Sequence, residues 1–341
     1  MSTTATHSRI RFNRRAYHEQ VGLLVEPVLN RLHRLLSMYV LFNGTFILLG
    51  TFEIGLFLSF YALLKTSQAL AIILGLFFLT LFSYLVLRLY ILAKKPEQLL
   101  EVCEQYLRKC RELICYQEGL PEHHIALSGA ANKLASALSQ KESTLFRPFY
   151  FIKSLRPMLE KFSARCHFED YYRMKEYLYQ ISIEEHIKVV KCEPTHLEVH
   201  AALANAYVRL SSLYATGKAG GEEPASKHYS EEMEEKFRQT AKRAIEEFKI
   251  LSDYAPNDPW VHVQLAYSYH DLQMPLEEIR EYEIILRLKP NDQDTLFKLG
   301  CLYFEQGMNA KGLRIYEMLK DSHYQKAASL IKFYGANDLP Y

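Results

Sequence analysis

A few groups of residues have types and spacing that bear on chemistry. His196 and His200 stand four apart, a spacing that on a helix can present two imidazoles to one metal ion. The intervening Leu197-Glu198-Val199 does not make an H-E-x-x-H arrangement and no third ligand is placed. A packed His200 and an exposed His196 are expected, and no metal is assigned. His123-His124 falls near the start of a helical pattern and reads as a polar cap region. Thr216-Gly217-Lys218-Ala219-Gly220-Gly221 has the wrong glycine–lysine spacing for a phosphate-binding loop, and no strand precedes it. No nucleophile elbow or kinase-like set is present. The six cysteines form no C-x-x-C pair, so they read as reduced thiols. The expectation is therefore binding rather than turnover, with no cofactor.

Glu53 is the remaining candidate, because of where it stands. From Leu35 to Leu64 the chain is almost wholly apolar, with Asn43 and Glu53 the conspicuous exceptions. Lys65-Thr66-Ser67-Gln68 interrupts it, and a second apolar run follows from Ala69 to Leu92, broken only by Arg88. A bilayer core needs about 20 apolar residues in a helix. Both runs suffice, and the loop is too short to hold a domain. The expectation is a transmembrane hairpin at roughly Val40 to Leu64 and Ala69 to Leu92, with Leu35 to Tyr39 at the interface. Arg9, Arg11, Arg14, Arg15, Arg31 and Arg34 precede it; Lys94 and Lys95 follow; only Lys65 lies in the loop. Positive residues stay cytoplasmic, which places both termini in the cytoplasm. A charge at mid-bilayer costs about 3 kcal/mol on insertion scales. Glu53 is thus expected to be protonated, or paired with Asn43, Thr45 or another copy of the chain. A proton or ion role is the functional alternative. Gly44, Gly50, Gly55 and Gly75 would permit close helix contacts.

The rest of the 341 residues is helical in pattern. Pro96 opens a run with Leu99, Leu100, Cys103, Tyr106, Leu107, Cys110, Leu113 and Ile114 at three- and four-residue spacing. Pro121 suits the first turn of the next helix, whose apolar face is Ala130, Ala131, Leu134, Ala135 and Leu138. Pro148 and Pro157 bracket a short aromatic-rich element, and a helical pair is expected from Pro157 through Lys191. No stretch alternates as a strand does, so the fold class is all-α. The expected parts are a basic segment over 1–35, the hairpin over 36–92, a helical cytoplasmic domain over 93–170, and repeats over 171–341. A net charge of +2 argues against nucleic acid as a partner.

The repeats emerge at a period of about 34 residues. Leu265-Ala266 and Tyr269 answer to Leu299-Gly300 and Tyr303; Tyr282 and Ile285 answer to Tyr316 and Leu319. Pro256-Asn257-Asp258 and Pro290-Asn291-Asp292 are matching turns. An interrupted copy lies upstream, with Leu203-Ala204 and Tyr207 in one helix and Ala244, Phe248 and Leu251 in the next. A flexible, solvated insertion at about 215–230 separates them. A fourth, weak copy precedes Pro194. This pattern resembles the tetratricopeptide-repeat (TPR) family, with Gly307 at the family's inter-helix turn. His200 and His262 depart from it, standing where a large aromatic or apolar residue is usual, and Glu278 stands where a small one is usual. The resemblance implies an α-solenoid that binds a peptide. Trp260, Val263, Tyr267 and His270 on one helix, and Phe297, Cys301 and Phe304 on the next, form a second apolar stripe opposite the core stripe. Trp260, Tyr267, Phe297 and Phe304 are the expected anchors; the alternative is that Lys320 to Tyr341 or a neighbouring copy fills that face.

Together these features suggest a membrane-anchored scaffold that recruits a peptide segment of a partner protein. The alternatives are a structural assembly factor that self-associates as a homo-oligomer or holds a membrane complex together, and a transporter or signalling subunit using Glu53. The bilobed hairpin with a tiny loop is also similar to the inclusion-membrane proteins of intracellular bacteria.

Overall fold

The computed structural model describes residues 14–60, 67–139, 141, 156–216 and 230–334. The loop holding Lys65, the stretch after Pro148, the insertion around Gly220 and the end of the chain lie outside the described residues. The described residues are all helical, with no strand among them. The chain forms two compact units, Met1–Ser182 and Ile183–Tyr341.

In the first unit, helix α1 (Arg14–Phe60) and helix α2 (Ser67–Leu113) are each long and apolar enough to cross a membrane. Both run unbroken past the apolar segments, and this corrects two expectations. From Arg14 on, the basic segment before residue 35 is part of α1 and not a separate tail, while residues 1–13, with Arg9 and Arg11, lie outside the described residues. Tyr17, Val21, Val25, Leu32 and Leu36 recur on one face of α1 and are buried with Leu99, Cys103, Tyr106 and Cys110 of α2. Leu36 is thus buried in a helical bundle. Pro96 lies inside α2 rather than opening a new helix. Proline removes one helical bond at a cost of about 3 kcal/mol, which the packing of Leu99, Val102 and Tyr106 on both sides of α1 and α3 offsets. Helix α3 (Pro121–Leu138) buries the alanine- and leucine-rich face that its sequence marks. Helix α4 (Arg156–Cys192) is one continuous helix and not a pair. No glycine or proline occurs between Met158 and Glu193 to break it. Its Tyr171, Met174 and Leu178 close the bundle.

In the second unit, three helical hairpins follow one another as an α-solenoid. They are α5 (Leu197–Ala215) with α6 (Glu231–Tyr254), α7 (Pro259–Asp271) with α8 (Pro275–Leu288), and α9 (Gln293–Glu305) with α10 (Asn309–Asp321). The starts are set by side chains. Ser230, Asp258 and Asp292 each accept a hydrogen bond from a first-turn amide, of Met233, Trp260 and Thr295. The turns inside the second and third hairpins place Gln273 (φ 55°) and Gly307 (φ 70°) in the left-handed region at matching positions. A last helical turn, α11 (Ala327–Leu330), stands where a fourth hairpin would begin, and a 3-10 turn (Ile331–Phe333) ends it.

Candidate functional site

Close approach of the paired helices depends on two small positions per hairpin. The first is Ala204, Ala266 or Gly300; the second is Ala244, Glu278 or Gly312. A Cβ on Gly312 would lie 2.5 Å from the Phe304 ring, and one on Gly300 would lie 2.8 Å from Leu330. An added methyl would have to displace a packed side chain at both. Glu278 breaks the pattern and is almost fully buried, yet His270 on the facing helix reaches its carboxylate (Nδ1 to Oε2, 3.2 Å). Burial raises the Glu278 pKa, and His270 draws it part of the way back.

The two histidines that depart from the family pattern occupy one repeated arrangement. His200 Nδ1 meets Glu247 at 2.7 Å and its Nε2 meets the Pro194 carbonyl at 2.9 Å. His262 makes the same contacts to Glu281 (2.7 Å) and the Pro256 carbonyl (2.9 Å). Each ring therefore joins the first helix of a hairpin to the second and to the turn before it. The partners are 47 residues apart in the first hairpin and 19 in the second, the difference being the insertion. In the third hairpin the corresponding residues are Leu296 and Ile315, both buried in the core. Burial alone would lower the His200 pKa. The Glu247 and Pro194 bonds outweigh it and raise the value above that of an ordinary histidine. With both nitrogens engaged, His200 has no lone pair facing His196. No group of His, Cys, Asp and Glu suited to a metal ion occurs among the described residues.

The expected binding stripe divides in two. Trp260 and Tyr267 are 42% and 45% exposed. The Trp260 ring rests edge-on against buried Phe248, centroids 6.0 Å apart. The Lys298 ammonium lies 4.9 Å from the Tyr267 ring centre and donates to its hydroxyl at 3.1 Å. Val263 is half-buried beside them, and His270 is exposed but engaged with Glu278. On α9 the stripe is largely covered. Phe297 is half-buried against Tyr324, whose hydroxyl donates to Asp294 at 2.6 Å. Cys301 is half-buried, and burial, with Glu305 nearby, pushes its thiol up to about 11.

Phe304 is a correction. It is only 1% exposed, with its ring under Gly312 and edge-on to Tyr334. It is a core residue of the third hairpin and not an anchor. The segment after α10, through Tyr324, Leu330 and Tyr334, closes that end of the solenoid. The remaining accessible aromatic face is Trp260 and Tyr267.

The polar residues of the apolar hairpin are paired across it. Glu53 accepts a hydrogen bond from Thr80 of α2 (2.7 Å), not from Asn43 or Thr45. Its other carboxylate oxygen is buried with no hydrogen-bond partner among the described residues. Asn43 donates to the Tyr39 carbonyl and accepts from the Tyr84 hydroxyl, to which Arg88 donates in turn. Thr45 spends its hydroxyl on Leu41. A Cβ on Gly44, Gly50, Gly55 or Gly75 would meet nothing within 4 Å, so none of these glycines mediates the contact of α1 with α2. Beyond the second apolar run, Lys95 pairs with Asp170 at 2.5 Å, and His167 reaches the same carboxylate at 3.2 Å. This buried cluster ties α4 to α2 and carried no sequence signal, since 75 residues separate its ends.

His123 and His124 do not cap α3. They hold the turn before it: His123 accepts the Gln117 amide (3.1 Å), while His124 donates to the Glu118 carbonyl (2.7 Å) and accepts from the Tyr116 hydroxyl (3.0 Å).

The chain matches no protein-family model, and no curated protein matches it in sequence.

Proposed function

We propose that this protein is a two-pass membrane scaffold with both termini cytoplasmic, whose TPR-like solenoid holds a peptide segment of a partner protein. The observation that carries this reading is the pair Trp260 and Tyr267, both more than 40% exposed on one short helix of an otherwise well-packed solenoid. Rigid aromatic side chains of this kind supply contact area at small entropic cost and dominate binding sites. Lys298, already seated on Tyr267, adds a cation at the rim and favours a segment with a carboxylate. The membrane helices raise the partner's local concentration by tethering. The basic residues flanking the apolar runs support the cytoplasmic orientation.

The test uses the full chain in its native membrane, with a photo-reactive aromatic in place of Tyr267. Adducts to one or a few other proteins that disappear in Trp260→Ala would support recruitment. Adducts only to a second copy of the chain would replace it with the self-assembly reading. Orientation is read separately: Cys115 and Cys192 are exposed, so an impermeant thiol reagent should reach them only from the cytoplasmic side.

A further inference from the structure

Where the apolar runs give way to charge, α1 and α2 leave a groove of about 450 Å³ between them. That volume lies in the range of roughly 300–1,000 Å³ typical of sites for small ligands. Its deeper walls are Phe42, Thr45, Phe46 and Tyr90, and its cytoplasmic end carries Lys94 and Gln98. Lys94 is the one charged residue in the lining, its ammonium 5.3 Å from the centre of the Tyr90 ring. Gln98 is held in place by the Tyr39 hydroxyl, which donates to it at 2.5 Å. Arg34 is exposed one helical turn before Met38, another lining residue, and extends the cationic end toward the cytoplasm. Neighbouring Glu97 lies outside the lining but close enough for its carboxylate to favour the Lys94 cation.

We infer that this groove is a binding site for one anionic glycerophospholipid, with an acyl chain along Phe42 and Phe46 and the phosphate at Lys94 and Arg34. The inference rests on the proposed membrane placement, which puts the groove at headgroup level of the cytoplasmic leaflet. Charge complementarity selects the occupant. A second copy of this chain would have to bury the Lys94 ammonium, whereas a lipid phosphate neutralises it while its chain fills the apolar end. A basic residue near an anionic surface contributes about fivefold in affinity.

The full chain, purified in detergent micelles, is titrated with dioleoyl-phosphatidylglycerol or dioleoyl-phosphatidylcholine, and retained lipid is counted by native mass spectrometry. One phosphatidylglycerol per chain should be held in preference to phosphatidylcholine. Lys94→Ala should weaken the phosphatidylglycerol complex about fivefold and the phosphatidylcholine complex less, since choline already neutralises that lipid's phosphate. Thr45→Trp, which fills the groove with an indole, should reduce retention of both. Equal retention of the two lipids by the original chain, or a complex indifferent to both substitutions, would overturn the site. So would a dimer that Thr45→Trp dissociates, since a second copy would then be the occupant. Extraction of native membranes with alkaline carbonate distinguishes the two failures. A chain released by carbonate refutes the membrane placement itself; a chain that stays embedded yet shows no lipid preference refutes only the groove.

Discussion

The substitution His262→Leu should loosen the second hairpin, and adding Glu281→Ile should restore it. The third hairpin already carries Leu and Ile at the equivalent positions, 296 and 315, and buries both. In the single variant, the Glu281 carboxylate, its side chain 15% exposed, loses its 2.7 Å partner, and the Pro256 carbonyl loses its donor. Stranding a largely buried charge together with a carbonyl costs about 3 kcal/mol. That is on the order of a hundredfold in the local opening equilibrium. In the double variant no charge is stranded, and the expected change is under about 1 kcal/mol. Amide hydrogen exchange read by mass spectrometry on the full chain reports opening locally. Peptides spanning α7 and α8 should lose about a hundredfold in protection in His262→Leu and recover most of it in the double variant. A double variant as unprotected as the single would show that the repeated histidine–glutamate pair does not account for that hairpin's closure.

Other outcomes follow from the same contacts. The His200 pKa is raised in the folded chain, so its stabilising contribution is complete below the unfolded histidine value and is lost as pH rises through the folded one. Protection of α5 and α6 should therefore fall as pH rises above the ordinary histidine value of about 6.5, and His200→Leu with Glu247→Ile should flatten that dependence. Phe304→Ala should destabilise the third hairpin by about 3–5 kcal/mol, whereas Trp260→Ala should cost clearly less, since 42% of that residue is already in solvent; equal effects in thermal unfolding would refute the division of the stripe. Gly312→Ala should displace the Phe304 ring, which stands 2.5 Å from the new Cβ, and release the segment after α10 to limited proteolysis. Glu53→Gln keeps an acceptor for Thr80 and should leave membrane insertion and assembly intact by cross-linking; loss of assembly would show that the carboxyl itself is needed.

The parts of the fold written locally in the chain were legible. Two apolar runs, a helical period and three copies of one hairpin need only neighbouring residues to be seen. Contacts between distant segments were not. His200 and His262 looked like misfits because Glu247 and Glu281 stand among other acidic residues on helices whose outer faces are acidic anyway. Phe304 follows Phe297 at the seven-residue spacing that separates Trp260 from Tyr267, but it is buried by Gly312 on the facing helix and by the segment after α10. That segment lacks the proline that closes the earlier repeats, with Tyr324 in its place, so periodicity gave no hint of a fourth helical turn. The first part of α1 was readable and obscured by composition. Tyr17, Val21, Val25, Leu32 and Leu36 hold a helical spacing, but the arginines between them suggested a solvated arm.

Continuity of α1 and α2 alters what the apolar hairpin does for the rest of the first unit. A flexible link after the second apolar run would leave the segment beyond it free to pivot. Instead α2 runs without a break through Pro96 to Leu113. At 1.5 Å per residue, the twenty residues after Ala93 extend about 30 Å beyond the apolar run. The first half of α1 returns along them, with Arg31 donating to Gln105 and five apolar residues in the shared core. The bundle is therefore an extension of the two apolar helices and not a domain hung from them. A chain beginning at Lys94 would lack α1 and expose Cys103, Tyr106 and Cys110 to water, where burial now holds both thiols well above their ordinary range. Experiments on the solenoid therefore need the whole chain.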